Sequence, residues 1–335
     1  MTQPLVLSPH QIRDAKPSTR AHICRGSDGK PLILERDLAM IFAERGAGKT
    51  LLGLGISIAT SGGIEWGGFT ADRAKRVLYV DGEMSLADMD DRLRRMTAPL
   101  LPSDRETVNQ NLGVLSWETQ GAGIPNLCEP EGREFIDASI KAFNPHLVIL
   151  DNISCLVGDI PESGGGADVL WQPISDWTVG HRRSRALIWI HHAGRAGTHA
   201  RGISKREDPL DWVLRLKLAG TQNKGAYFAL ECTKTRGRPR PASWSIQVLD
   251  NREKLWLQPV VKNGLDVLDD AMQAKLERAM DFARQAVRLY QKKTQQRRHV
   301  VDEYREQFAV GLRNATIDEA LRRAHDELGV EEEEE

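Results

Sequence analysis

Short apolar runs alternate with longer amphipathic segments from Leu38 to about Lys217. Leu38–Ala43, Arg76–Val80, Leu147–Leu150 and Ala186–Ile190 are rich in β-formers and too short for helices, so they predict strands. Leu51–Ser61, Ser85–Met96, Glu129–Phe143 and Trp171–Arg183 carry helical spacing. That alternation predicts an α/β fold with a mostly parallel central sheet covered by helices. Ala226–Thr233 and Ser243–Leu257 instead alternate apolar and polar residues around a Gly-Pro-rich turn, predicting antiparallel edge strands.

The flanks read differently. Residues 1–36 are polar, carry Pro4, Pro9, Pro17 and Pro31, and are expected to lie loosely on the core. Beyond Gly264 the chain is charged and glycine-poor, predicting a C-terminal extension of two or three helices, then the acidic tail Glu331–Glu335. The expected division is a lead-in over 1–36, a core over 37–262, a helical region over 263–330 and a tail over 331–335.

Composition narrows the class. A chain of 335 residues with 40% hydrophobic content supports a substantial core. A net charge of −1 gives no global attraction to nucleic acid, so any such contact must be local. Cys24, Cys128, Cys155 and Cys232 form no close pair and no metal-ligand spacing, as expected in a reducing cytoplasm. There is no signal-like start and no apolar run of membrane-spanning length, so a soluble cytoplasmic protein is expected.

The chemistry concentrates at strand ends. The run Met40–Thr50 is an apolar segment, then Glu44-Arg45-Gly46-Ala47-Gly48, then Lys49, Thr50 and Leu51 opening a helix. This order suits a phosphate-binding loop over Glu44–Leu51. Small residues let backbone N–H groups approach a triphosphate, Lys49 neutralises it, and the Thr50 hydroxyl ligates Mg²⁺. Ala43 stands where the usual pattern has its first glycine. Asp151, after four apolar strand residues, is the candidate second acid for Mg²⁺. Asp81 and Glu83 end another strand; Glu83 is the candidate base for an attacking water, and Asp81 either supports Mg²⁺ or caps structure. His191 and His192 close a fourth strand. Their adjacency puts them on opposite faces, which argues against a shared metal and leaves a phosphate-sensing or a structural role.

Two loops, Gly158–Asp168 and Gly194–Asp208, are rich in glycine or cations (Arg195, His199, Arg201, Lys205, Arg206) and suit either a phosphate backbone or solvent. Lys234 and Arg236 end a late strand, far enough in sequence from the loop to serve a neighbouring subunit's nucleotide. Lys292, Lys293, Arg297, Arg298 and His299 form a basic patch, either a solvated helix face or a duplex or partner contact.

Taken together, MIFAERGAGKT, RVLYVDGEM, LVILDNIS, IWIHHAGR, RGISKREDPLD and ECTKTRG, in this order, resemble the RecA-type hexameric ATPases, and most closely the RepA-like plasmid-replication helicases. The resemblance spans Leu38 to Gly237 and implies a RecA-like P-loop NTPase using ATP and Mg²⁺. It implies Lys49 and Thr50 as phosphate and metal contacts, Glu83 as catalytic base, Asp151 as metal-supporting acid and His192 as γ-phosphate sensor. Arg201, Lys234 and Arg236 fall at positions resembling trans-acting arginine fingers. Arg195 stands where many relatives have lysine. A hexameric ring acting on single-stranded DNA, with replication proteins as partners, is the implied setting. An ATP-gated assembly or recombination factor on DNA, and a regulatory ATPase acting on proteins, are the competing readings.

Overall fold

The computed structural model describes residues 6–14, 19–158, 160, 166–194, 204–222, 225–241, 243–251, 253–260, 270–308 and 314–328. They fall into two compact units, Met1–Lys262 and Asn263–Glu335.

The larger unit opens with a short exposed helix, α1 (Pro9–Asp14), and two strands, β1 (His22–Arg25) and β2 (Pro31–Leu34). Then come β3 (Leu38–Ala43), α2 (Lys49–Gly62), the two-residue strands β4 (Glu65–Trp66) and β5 (Phe69–Thr70), and β6 (Val77–Asp81). The chain continues through α3 (Leu86–Thr97), α4 (Pro102–Asn111), β7 (Leu112–Ser116), α5 (Pro130–Phe143) and β8 (Leu147–Asp151). The short α6 (Ile153–Leu156), α7 (Ala167–His181) and β9 (Ala186–His192) follow, and β10 (Trp212–Gln222), β11 (Gly225–Thr235), β12 (Trp244–Asp250) and β13 (Leu255–Val260) complete the unit.

Nine strands form one sheet in the order β13-β12-β11-β10-β3-β9-β8-β6-β7. From β10 to β7 all neighbours are parallel, and from β10 to β13 all are antiparallel. The central strands read as continuous apolar runs because both faces are covered. Ala39, Ile41, Tyr79, Ile149, Ile188 and Ile190 bury one face in a core shared with α2. Leu38, Met40, Phe42, Val148, Leu150, Leu187 and Trp189 bury the other against side chains of α5, α6 and α7. Gly53 sets how closely α2 lies on the sheet, since a Cβ there would stand 2.8 Å from Ile190 Cδ1 and 3.2 Å from the Tyr79 ring. That closeness brings the first turn of α2 down to the strand ends.

Two expectations need correction. Residues 22–34 do not lie loosely on the core: β1 and β2 join β5 and β4 in a second, four-stranded sheet, and Ile23, Cys24, Leu32 and Ile33 are buried in the main core. Ser243–Leu257 is two strands, because Asn251 Oδ1 accepts from the Lys254 N–H at 2.7 Å and turns the chain between β12 and β13.

In the second unit, α8 (Asp270–Leu289), α9 (Lys293–Phe308) and α10 (Asn314–Leu328) pack Ala279, Ala283, Ala286, Val300, Tyr304, Ile317, Ala320, Leu321 and Ala324 into a core of their own. Among the described residues no helix is long and apolar enough to cross a membrane.

Candidate active site

The site is built at the carboxyl edge of the parallel strands, where ligands of open α/β sheets sit. β3 delivers the loop 44–48 and α2 begins at Lys49. The turn is made by Gly46 (φ 75°) and Gly48 (φ 76°), both left-handed. Ala43 lies inside β3, buried and paired with His192 of β9, and is not among the positive-φ residues. Its methyl group therefore costs the loop no left-handed strain, which accounts for alanine at that position. Glu44 and Arg45 are exposed at the bend, Ala47 is buried beneath it, and Leu51 packs partly against the core. The Lys49 ammonium donates to the Ala43 and Glu44 carbonyls at 3.2 and 2.8 Å, which draws it across the loop. Burial lowers its pKa, opposed by the charges of Asp151 and Glu83. The opening of a helix beside this cation favours an anion through free N–H groups and the macrodipole.

Below Lys49, one carboxylate oxygen organises the floor. Asp151 Oδ2 accepts from Thr50 Oγ1 at 2.8 Å and from the Tyr79 hydroxyl at 2.6 Å. Asp151 is buried, and that burial raises its pKa while the Tyr79 and Thr50 hydrogen bonds pull it back. Asp81 is its register partner on β6. Asp81 Oδ1 accepts from the Glu83 and Met84 N–H groups at 3.3 and 3.2 Å, whereas Oδ2 is buried without a hydrogen-bond partner. Burial, and behind it the Asp151 and Glu83 charges, push the Asp81 pKa up to about 6 despite those two bonds. Glu83 is held by Asn152, whose Nδ2 donates to Glu83 Oε2, while Asn152 also caps α6.

These oxygens fit Mg²⁺. Thr50 Oγ1, the Asp151 carboxylate and the buried, unpartnered Asp81 Oδ2 are hard donors in one place. Among the described residues no three His, Cys, Asp or Glu side chains form a metal cage. A divalent cation here would take the rest of its shell from phosphate oxygens and water, as Mg²⁺ usually does.

His192 reaches this same face. Burial lowers its pKa, with Lys49 and Arg45 adding to the effect and Glu83 opposing it, and its Nδ1 has no hydrogen-bond partner. His191 points the other way, with Nε2 3.1 Å from Arg206. Arg206 is buried and stacks 5.0 Å from the Trp171 ring, and Lys205 pairs with Asp168 at 3.2 Å. Arg206, in a loop expected to face either a phosphate backbone or solvent, is thus a buried cation. Arg195, His199 and Arg201 lie outside the described residues.

Lys234 and Arg236 are not brought to this chain's loop. Lys234 pairs with Val213, which pairs with Met40, and the Arg236 N–H donates to the Asp211 carbonyl at 2.7 Å. Asp211 in turn accepts from the Leu38 N–H at 2.9 Å, at the start of β3. Arg236 is therefore at the amino edge of the sheet, about 17 Å of strand from the phosphate loop. The Lys234 ammonium is bonded to the Glu207 carbonyl, and Arg236 donates to that of Asp208 at 2.7 Å.

Three contributors were not foreseen: Tyr79, Asn152 and Phe228. The Phe228 ring, on β11, lies 3.0 Å from where a Cβ on Gly48 would stand. Tyr79 and Phe228 read in the sequence as ordinary strand residues, and only Asn152, directly after the strand-end acid, carried any signal.

No curated protein matches the chain. A family model described as an AAA domain matches residues 3–198, more than half of the chain, and the geometry of the loop, Thr50 and Asp151 lies within that span. The chain therefore belongs to this family of P-loop AAA-type ATPase domains.

Proposed function

We propose that this protein hydrolyses ATP with Mg²⁺ and couples turnover to movement along, or separation of, DNA strands as a homo-oligomeric, hexameric ring in the replication of a plasmid or other mobile element. The observation that carries the catalytic part is the convergence of Lys49, Thr50, Asp151, Asp81 and Glu83 at one sheet edge. In this reading the α2 amino end and Lys49 bind the β- and γ-phosphates. Thr50 and Asp151 hold Mg²⁺, with Asp81 close by. When bound, the ion supplies neutralisation of phosphate charge. Glu83, oriented by Asn152, takes a proton from the attacking water, and His192 senses the terminal phosphate. Arg236 and Lys234, on the opposite edge, would serve the nucleotide of an adjoining subunit, a role the resemblance also gives Arg201. The order of motifs, which resembles that of RepA-like helicases, supports the DNA-directed part.

Glu83→Gln tests the chemistry: nucleotide binding should persist while turnover falls by about two to four orders of magnitude. A hydrolysis rate left intact would remove Glu83 from the base role. ATP-driven displacement of one strand from a forked duplex tests the motor.

The second reading, an ATP-gated assembly or recombination factor on DNA, is favoured by one observation. Arg206 is buried and Lys205 is paired with Asp168, so two of the cations expected to track a strand are engaged within the fold. ATP-dependent DNA binding with no strand displacement would select it.

A further inference from the structure

Between Asp281 and Asp302 the chain carries Arg284, Arg288, Lys292, Lys293, Arg297 and Arg298 and no acidic residue. The whole sequence balances 46 basic against 47 acidic residues, so this one-sided run departs from its own background. It spans the end of α8, the turn 290–292 and the opening of α9.

The run is folded into a fixed corner. Gln296, buried, donates from Nε2 to the Tyr290 carbonyl at 2.8 Å, and its Oε1 lies 3.0 Å from His325 Nε2 on α10. One amide thus ties the turn to the third helix. The apolar faces of α8 and α9 are spent on the helical core. Outward, Arg288, Lys292, Thr294, Gln295 and Arg298 are exposed. Arg284 pairs with Asp281 at 2.9 Å and Arg297 with Asp318, but Arg288, Lys292 and Arg298 have no acidic partner among the described residues. α9 also has no acidic residue in its first turn, so the positive end of its dipole adds to these charges instead of offsetting them. The corner therefore presents a concentration of exposed positive charge.

The chemistry of the corner selects the anion. Leu289 is its one exposed large apolar side chain among the described residues, too little for insertion into a lipid surface. Tyr290, its aromatic ring, is half-buried and packs against His299 with centroids 5.6 Å apart, so the corner lacks the exposed aromatic row on which single-stranded bases stack. Two helices joined by a short turn, the second presenting cations with Thr294 and Gln295 at its amino end, offer the charge and hydrogen-bonding side chains that contact the phosphates flanking a duplex groove. We propose that the α8–α9 corner, within the helical unit, is a binding surface for double-stranded DNA.

The test uses the full chain without nucleotide and a labelled mixed-sequence duplex, titrated over a range of salt. Wild type should bind, with log K falling steeply as log salt rises. The triple variant Arg288→Ala/Lys292→Ala/Arg298→Ala should bind about 10- to 100-fold more weakly, with the slope reduced by about two to three. Arg288→Lys/Arg298→Lys should keep both affinity and slope, because a phosphate contact needs the charge, and this pair guards against a misfolded triple variant. ATP hydrolysis without DNA should be unchanged in all of them. Three results would overturn the proposal: no duplex binding by wild type, an unchanged slope in the triple variant, or a preference for anionic vesicles over duplex. None of them bears on the ATPase reading, since no nucleotide is present.

Discussion

Thr50 Oγ1 donates to Asp151 Oδ2 at 2.8 Å across 101 positions of sequence, which fastens the start of α2 to the end of β8. The two strands concerned, β3 and β8, are not neighbours; β9 runs between them. Thr50 can span that gap because Gly53 lets α2 settle onto Tyr79 and Ile190. Tyr79 donates to the same Asp151 oxygen at 2.6 Å from beneath.

Tyr79→Phe keeps the buried ring and removes one donor from a buried carboxylate. The cost in unfolding free energy should be about 1–3 kcal/mol. Asp151, already pushed up by burial, should move further up, so its ionised form is lost sooner as pH falls. Binding of a fluorescent ATP analogue should then weaken on acidification more than in wild type when Mg²⁺ is present. With chelator present the two proteins should match. Equal pH profiles in Mg²⁺ would contradict the positioning role.

The loop glycines make a matched pair. Gly46 and Gly48 have almost the same left-handed φ, but a Cβ on Gly46 meets nothing within 4 Å, whereas on Gly48 it meets Phe228 at 3.0 Å. Gly46→Ala should lose about 1–2 kcal/mol from backbone strain alone. Gly48→Ala should lose more, and Phe228→Ala should restore part of that excess. Chemical denaturation of the three variants and the Gly48/Phe228 double variant measures it, and complete additivity would disprove the contact.

Asp81 is the group to follow by pH. Its folded pKa, about 6, lies above the ordinary 3.8, so the protonated form favours folding. Its contribution is full below pH 3.8 and is lost as pH rises through about 6. Asp81→Asn should therefore shallow the decline in stability across that window relative to wild type. Urea midpoints at either end of the window give the comparison; parallel pH profiles would show that Asp81 ionises at no cost to the fold.

Arg236→Ala should bind ATP normally. If Arg236 acts on a neighbour's nucleotide, hydrolysis should fall by about three to five orders of magnitude, the range of an arginine finger. Mixing with Lys49→Ala subunits should restore part of the rate, because each partner supplies what the other lacks. No rescue at any mixing ratio would leave Arg236 as a brace for the 207–208 turn.

Much of this site could be read from the chain because it is written locally. A strand, a glycine turn and Lys49-Thr50 are contiguous, and Asp151 and Glu83 each follow an apolar run that names its own end. What escaped depends on register between distant strands. Nothing near Tyr79 in sequence says that its hydroxyl lies under Asp151, and nothing near Phe228 says that it covers Gly48. β7 escaped because it is an edge strand whose residues are mostly half-exposed, so Leu112–Ser116 lacks a buried run. Arg206 looked like a surface cation because charge patterning cannot show the Trp171 ring that shelters it.

The most direct test of the whole account is ATP hydrolysis by the purified protein with and without single-stranded DNA, beside Lys49→Ala. Turnover that rises clearly with DNA and vanishes in the variant is the predicted result. Robust turnover indifferent to DNA would contradict the DNA-coupled reading and point to an ATPase that acts on proteins.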